Sequence, residues 1–228
     1  MLTETVEASG VAQRNRERCN ESPVGAFLDL SRIPRGLHDR AVTAFNDGDA
    51  ARFLSVADSI QGLFIVLENA RRLMDRGIYE AALLEAHTGT RANNCHWSVS
   101  LLTSMFTFAD REKLALAGDP LPEGDRFVIY RGVAGSPRRV RGYSWTGNPE
   151  TAAWFASRHD LENPAVYQAT ANREEILAYT NEREEQEFIV RPRACKLIGS
   201  CGDARSFRRT APETGSTPLL LAGAATEC

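Results

Sequence analysis

Apolar positions recur at three- and four-residue intervals along the first half of the chain, then alternate or run together in short blocks along the second. Between 50 and 75, Phe53, Leu54, Ala57, Ile60, Leu63, Phe64 and Leu67 keep the helical period, and segments 78–86 and 97–116 repeat it. Thr88-Gly89-Thr90 supplies a helix end, and Asn93-Asn94 favours a turn before the next helix. Residues 23–118 therefore read as a helical lobe. The run Gly118-Asp119-Pro120-Leu121-Pro122-Glu123-Gly124-Asp125 is dense in helix breakers, and beyond it the period becomes that of strands. Strands are expected at 127–130, 138–146, 166–171 and 188–190, with a fifth at 194–198. One helix is expected among them, at 149–158. Asn148 is a good N-cap, Pro149 suits the first helical position, and Glu150 favours the positive helix end. A short helix or turn at 173–179 has Asn172 as its cap.

These elements predict an α+β fold, with the helical lobe at 23–118 and a β core at 119–202. Residues 1–22 are polar without sustained periodicity and read as a flexible arm. Residues 203–228 are rich in Gly, Pro, Ser, Thr and Ala and read as a disordered tail. No internal repeat is present.

Composition narrows the function classes modestly. With 228 residues, 43% hydrophobic and 25% charged, the chain has the makeup of an ordinary globular protein. A net charge of −3 and a pI near 5.9 give no general electrostatic footprint for nucleic acid. The cluster Arg138, Arg139 and Arg141 either grips nucleic acid or solvates a strand, and the solvated strand is the simpler expectation. Segment 1–10 is polar and acidic, unlike a secretory leader, and no apolar run approaches ~18 residues, so a cytoplasmic location without a membrane span is expected. Cys19, Cys95, Cys195, Cys201 and Cys228 are odd in number and widely spaced, which reads as reduced thiols. No metal site is expected.

Three short motifs carry chemistry. In Tyr130-Arg131-Gly132 the arginine follows an apolar strand and the glycine lets a ligand approach the backbone closely. The planar guanidinium grips phosphate oxygens with two parallel hydrogen bonds and stays charged at working pH. In Ser144-Trp145-Thr146, alternation puts both hydroxyls on one strand face, with Trp145 packing against Trp154 and Phe155 of the following helix. In Glu185-Gln186-Glu187, the same alternation puts two carboxylates on one face about 7 Å apart, where a strand enters the core. A fixed carboxylate facing a carbon that develops positive charge stabilises that charge, and a second one can align a nucleophile.

In their order and context these motifs resemble the arginine-serine-glutamate class of mono-ADP-ribosyltransferases. The resemblance spans residues 120–200 and implies a mostly antiparallel, split β-sheet core that binds NAD as co-substrate. It implies that Arg131 and Gly132 hold the NAD phosphates, that Ser144 and Thr146 shape the nicotinamide-ribose pocket, and that Glu187 is the catalytic glutamate. Glu185 would then prepare an acceptor guanidinium, with Tyr179 or Thr180 in the preceding loop touching the acceptor. Trp145 stands where the family more often has a small hydroxyl residue, and the connector from Arg131 to Ser144 is short. The expected activity is transfer of ADP-ribose to a macromolecular acceptor, protein arginine before nucleic acid, by a toxin, phage-encoded modifier or defence enzyme with an antitoxin or immunity partner. NAD hydrolysis and a catalytically silent binding fold are the alternatives.

Overall fold

The computed structural model describes residues 28–89, 97–182 and 184–200; the expected arm at 1–22 and tail at 203–228 lie outside them. The chain divides into two compact units, 1–92 and 93–228. The change of period at Gly118 thus falls within the second unit and marks a passage from helix to strand, not the division between units.

The first unit is helical: α1 (His38–Asp47), α2 (Ala50–Ser55), α3 (Gly62–Glu68), α4 (Ala70–Arg76) and α5 (Tyr79–Thr88). The run 50–75, periodic enough to suggest one helix, is broken twice by side chains that compete for the backbone. Asp58 accepts a hydrogen bond from the Ile60 N–H at 3.0 Å and starts a short 3-10 turn. Asn69, between α3 and α4, is buried and pairs both ways with the main chain of Asp29, accepting at 2.8 Å and donating at 2.9 Å. Phe45, Phe53, Leu63, Ile65, Leu73 and Leu83 are fully enclosed. Burying each of them contributes about 1.5–3 kcal/mol.

The second unit opens with α6 (Val99–Phe108) and α7 (Arg111–Ala117), where the period suggested one helix. Ala109 is extended, and the Asp110 carboxylate caps α7 by accepting from the N–H groups of Glu112 and Lys113. Six strands follow: β1 (Arg126–Val133), β2 (Ser144–Thr146), β3 (Ala165–Asn172), β4 (Ala178–Thr180), β5 (Glu187–Ile189) and β6 (Lys196–Ser200), with α8 (Pro149–Ser157) between β2 and β3. They form one antiparallel sheet in the order β4-β5-β2-β1-β3-β6, so the protein is α+β.

Two expected elements change. Residues 138–146 begin as a 3-10 turn (Pro137–Arg141), because Pro137 fixes its own φ and supplies no N–H for a ladder; only Ser144–Thr146 is strand. Within 173–179, helical geometry stops at Glu175, and β4 follows. Tyr179 is therefore a core strand residue whose ring packs tilted against Phe188, centroids 4.9 Å apart, not a loop residue facing an acceptor. The helix at 149–158 forms as its caps dictate, with Asn148 accepting from the Glu150 and Thr151 N–H groups.

One face of the sheet is apolar and aromatic: Phe127, Ile129, Trp145, Tyr179, Phe188 and Val190 form one cluster. The other is covered by α8 through Ala152 and Ala156, against Val166. Trp145 thus packs into the aromatic cluster and not against Trp154 and Phe155, since α8 lies on the opposite face. Trp154 is 54% exposed.

Candidate active site

Strand register brings the three motifs onto adjacent strands. Tyr130 on β1 pairs with Thr146 on β2, which pairs with Glu187 on β5, which pairs with Thr180 on β4. Directly paired residues share a sheet face, and so do diagonal neighbours two positions away. Ser144 pairs with Ile189, so Ser144 and Glu187 are diagonal neighbours on one face.

Arg131 alternates onto the other face, below Ile129, but its guanidinium is aimed at the main chain where β2 begins. Nε donates to the Arg139 carbonyl at 3.1 Å, and Nη1 donates to the Ser144 carbonyl. Two of five N–H groups are engaged this way, which leaves donors for an anion. Burial pulls the Arg131 pKa down to about 10, while the negative charge of Glu187 acts in the opposite direction. Arg131 remains a cation at neutral pH and lies within electrostatic reach of Glu187. The guanidinium occupies the space beside Gly142: a Cβ there would lie 2.6 Å from the Arg131 Cζ.

Three expected site residues are placed differently. Gly132 has no side chain because α8 crosses it: a Cβ would lie 1.8 Å from the Ala152 carbonyl oxygen and 2.7 Å from the Ala156 nitrogen. The close approach expected of a ligand is made by a helix. Thr146 is 5% exposed, and its hydroxyl donates to the Glu185 carbonyl at 2.6 Å while accepting from the Asn148 N–H at 3.1 Å. It fixes the loop carrying the carboxylates instead of lining a pocket with a free hydroxyl. Glu185 does not share a strand face with Glu187, because β5 starts at Glu187 and Gln186 has a left-handed φ of 48°. A left-handed residue breaks the alternation on which that pairing rested.

The loop before β5 is held by residues outside the three motifs. Asn181 accepts from the Gln186 N–H through Oδ1 at 3.1 Å, and its own N–H donates to the Asp119 carboxylate at 2.7 Å. Asp119 in turn donates its N–H to the Tyr179 carbonyl at 2.8 Å. Gly147 donates to the Gln186 carbonyl at 3.1 Å, and a Cβ on it would lie 2.6 Å from Gln186 Oε1. Glu184, with φ 57°, is a second left-handed residue in this loop. Non-glycine residues held in that region cost of order 1 kcal/mol or more and persist where surroundings over-determine them. Asp119 was visible in the breaker run, but its pairing with Asn181 across 62 positions was not.

Chemically, the arrangement offers a half-buried cation with spare donors, a hydroxyl residue and a carboxylate on consecutive strands. That set suits an anionic ligand bearing a group that develops positive charge. Among the described residues, no group of three or more His, Cys, Asp or Glu could hold a metal ion, and no helix is long and apolar enough to cross a membrane. The chain matches no protein-family model, no curated protein and no solved structure.

Proposed function

We propose that the protein is a mono-ADP-ribosyltransferase with an ADP-ribosyltransferase-like sheet, taking ADP-ribose from NAD and passing it to a macromolecular acceptor, a protein arginine in the first instance. The observation that carries the reading is the diagonal position of Ser144 and Glu187 on β2 and β5, with the Arg131 guanidinium reaching the Ser144 carbonyl from β1. In this reading Arg131 grips the pyrophosphate with the N–H groups it does not spend on the main chain. Glu187 faces the ribose carbon. The bond from that carbon to the nicotinamide nitrogen breaks with its electron pair going to nicotinamide; the acceptor nitrogen bonds to the same carbon and gives up a proton.

Glu187 contributes by stabilising the positive charge that grows on the carbon, worth about 3–4 kcal/mol in a preorganised site. Glu185, set apart from the sheet row, reaches the acceptor from the loop that Thr146 and Asn181 hold. A role as toxin, phage-encoded modifier or defence enzyme, restrained by a partner protein, fits the activity. The test is nicotinamide release and label transfer from NAD in a cell lysate. Glu187→Gln should lower turnover by at least about a hundredfold with NAD binding retained. Unchanged turnover would remove Glu187 from the mechanism, and label sensitive to nuclease would make nucleic acid the acceptor.

A further inference from the structure

The chain is acidic as a whole, yet its charge is unevenly distributed. Residues 131–159 contain five arginines and one glutamate, a local charge of +4 in a chain of net charge −3. Four of these arginines, Arg138, Arg139, Arg141 and Arg158, lie outside the Arg131 site on two elements: the 3-10 turn Pro137–Arg141 and the end of α8. The expected solvated strand would have spread them along a ladder; the turn gathers them instead.

The 3-10 turn and the loop that follows α8 are tied to the same stretch beyond the end of β1. Arg139 Nη1 donates to the Ala134 carbonyl at 3.2 Å, and the next residue, Gly135, donates its N–H to the Glu162 carbonyl at 2.6 Å. Burial lowers the His159 pKa, and the charges of Arg158 and Arg139 act in the same direction. Arg138 and Arg141 are exposed, and among the described residues no carboxylate forms a salt bridge with either. Arg139 also reaches back to the active site, since its carbonyl accepts from Arg131 Nε. Two acidic residues, Asp160 and Glu162, follow closely on Arg158 in the loop whose Glu162 carbonyl accepts from Gly135.

An aromatic platform completes it. Trp154 is 54% exposed on α8 and meets Phe155 edge to face, with ring centroids 5.0 Å apart. The Arg158 guanidinium lies 4.6 Å from the centre of Phe155 and 5.4 Å from that of Trp154. Nothing in the packing of α8 on the sheet requires Trp154, because Ala152 and Ala156 make that contact. A large exposed ring with an arginine over it, on a helix whose following loop is tied to the same stretch as an arginine-rich turn, is a combination suited to single-stranded nucleic acid: bases stack on the ring while guanidinium groups follow the phosphates.

We propose that this surface, formed by the 3-10 turn Pro137–Arg141 and the outer end of α8, binds single-stranded nucleic acid with Trp154 as the stacking residue and Arg138, Arg139, Arg141 and Arg158 as phosphate contacts. Stacking distinguishes this ligand from an acidic protein segment, which would use the charge but leave Trp154 idle. Duplexes offer phosphates but bury their base faces.

The test is fluorescence anisotropy of a labelled short oligothymidylate, with oligouridylate to separate DNA from RNA, the matching duplex and polyglutamate as competitors, and no NAD present. Binding should weaken with salt at a logarithmic slope of roughly −3, for four phosphate contacts on a single strand. Trp154→Ala should weaken it roughly tenfold or more, and the exposed position keeps the fold intact. Replacing Arg138 and Arg141 together by alanine should reduce the slope by roughly 1.4. No salt-sensitive binding, unaltered affinity in Trp154→Ala, or equal competition by duplex or polyglutamate would each overturn the proposal. Because NAD is absent, such a failure leaves the transferase reading untouched, and failure of NAD turnover leaves this one untouched.

Discussion

The two faces of β1 take opposite lessons from one tripeptide. On one face Gly132 is empty because the backbone of α8 fills the space its side chain would need. On the other, Arg131 extends to the start of β2, and it is Gly142, eleven positions on, that makes room for it. Neither glycine has a positive φ, so neither is required by backbone conformation. The difference lies in what occupies the vacated space: main chain that cannot move without unpacking a helix, or the flexible end of a side chain that can. A motif that reads as a ligand-binding unit is therefore divided between construction and chemistry.

Substituting each glycine breaks or sharpens that contrast. Gly132→Ala should destabilise the second unit by about 3–5 kcal/mol, because α8 must lift from β1; a thermal or denaturant melt measures it. A fully stable Gly132→Ala would mean that α8 does not press on β1. Gly142→Ala should leave the melt within about 1 kcal/mol of the parent, yet weaken NAD binding roughly tenfold as the guanidinium is displaced; calorimetric titration with NAD reads this. Equal effects of the two substitutions on stability would erase the distinction.

Thr146→Val tests a smaller expectation. Losing the hydroxyl leaves the Glu185 carbonyl and the Asn148 N–H without that partner and should cost about 1–2 kcal/mol, with turnover falling because the Glu185 loop loosens. Thr146→Ser should restore most of both. The smallest effect is in pH. Burial holds the Arg131 pKa at about 10, below the usual arginine range, so NAD affinity should hold constant from neutrality and fall as pH rises through about 10. Its folded-state pKa is depressed, so the folded state binds the proton less tightly than the unfolded chain. Stability therefore rises with pH above about 10, up to the ordinary arginine range, and does not fall there. Affinity unchanged to higher pH would place the working cation elsewhere.

Features set by near neighbours were legible in the sequence. The Asn148-Pro149-Glu150 start of α8, the long apolar strands β1 and β3, and the end of α5 at Gly89 each depend on a few adjacent residues. The order of Arg131, Ser144 and Glu187 was legible as well. Their assignment to β1, β2 and β5 was not, because strand order follows from pairing across tens of residues. The reading of Glu185 and Glu187 as face-sharing failed at a single residue, Gln186, whose left-handed backbone is imposed by Asn181 and Gly147 from outside the motif.

By itself the sequence determined the α+β class, the helix caps and the chemical types in the candidate site, since propensity, capping and periodicity act over a few residues. Tertiary structure alone decided that Gly132 serves a helix, that Thr146 holds a loop, that Trp154 faces solvent while Trp145 is enclosed, and that the Arg158 guanidinium lies over the Trp154 ring. Those outcomes depend on which surfaces exclude water and which backbone atoms already fill a space, and both are properties of the packed chain.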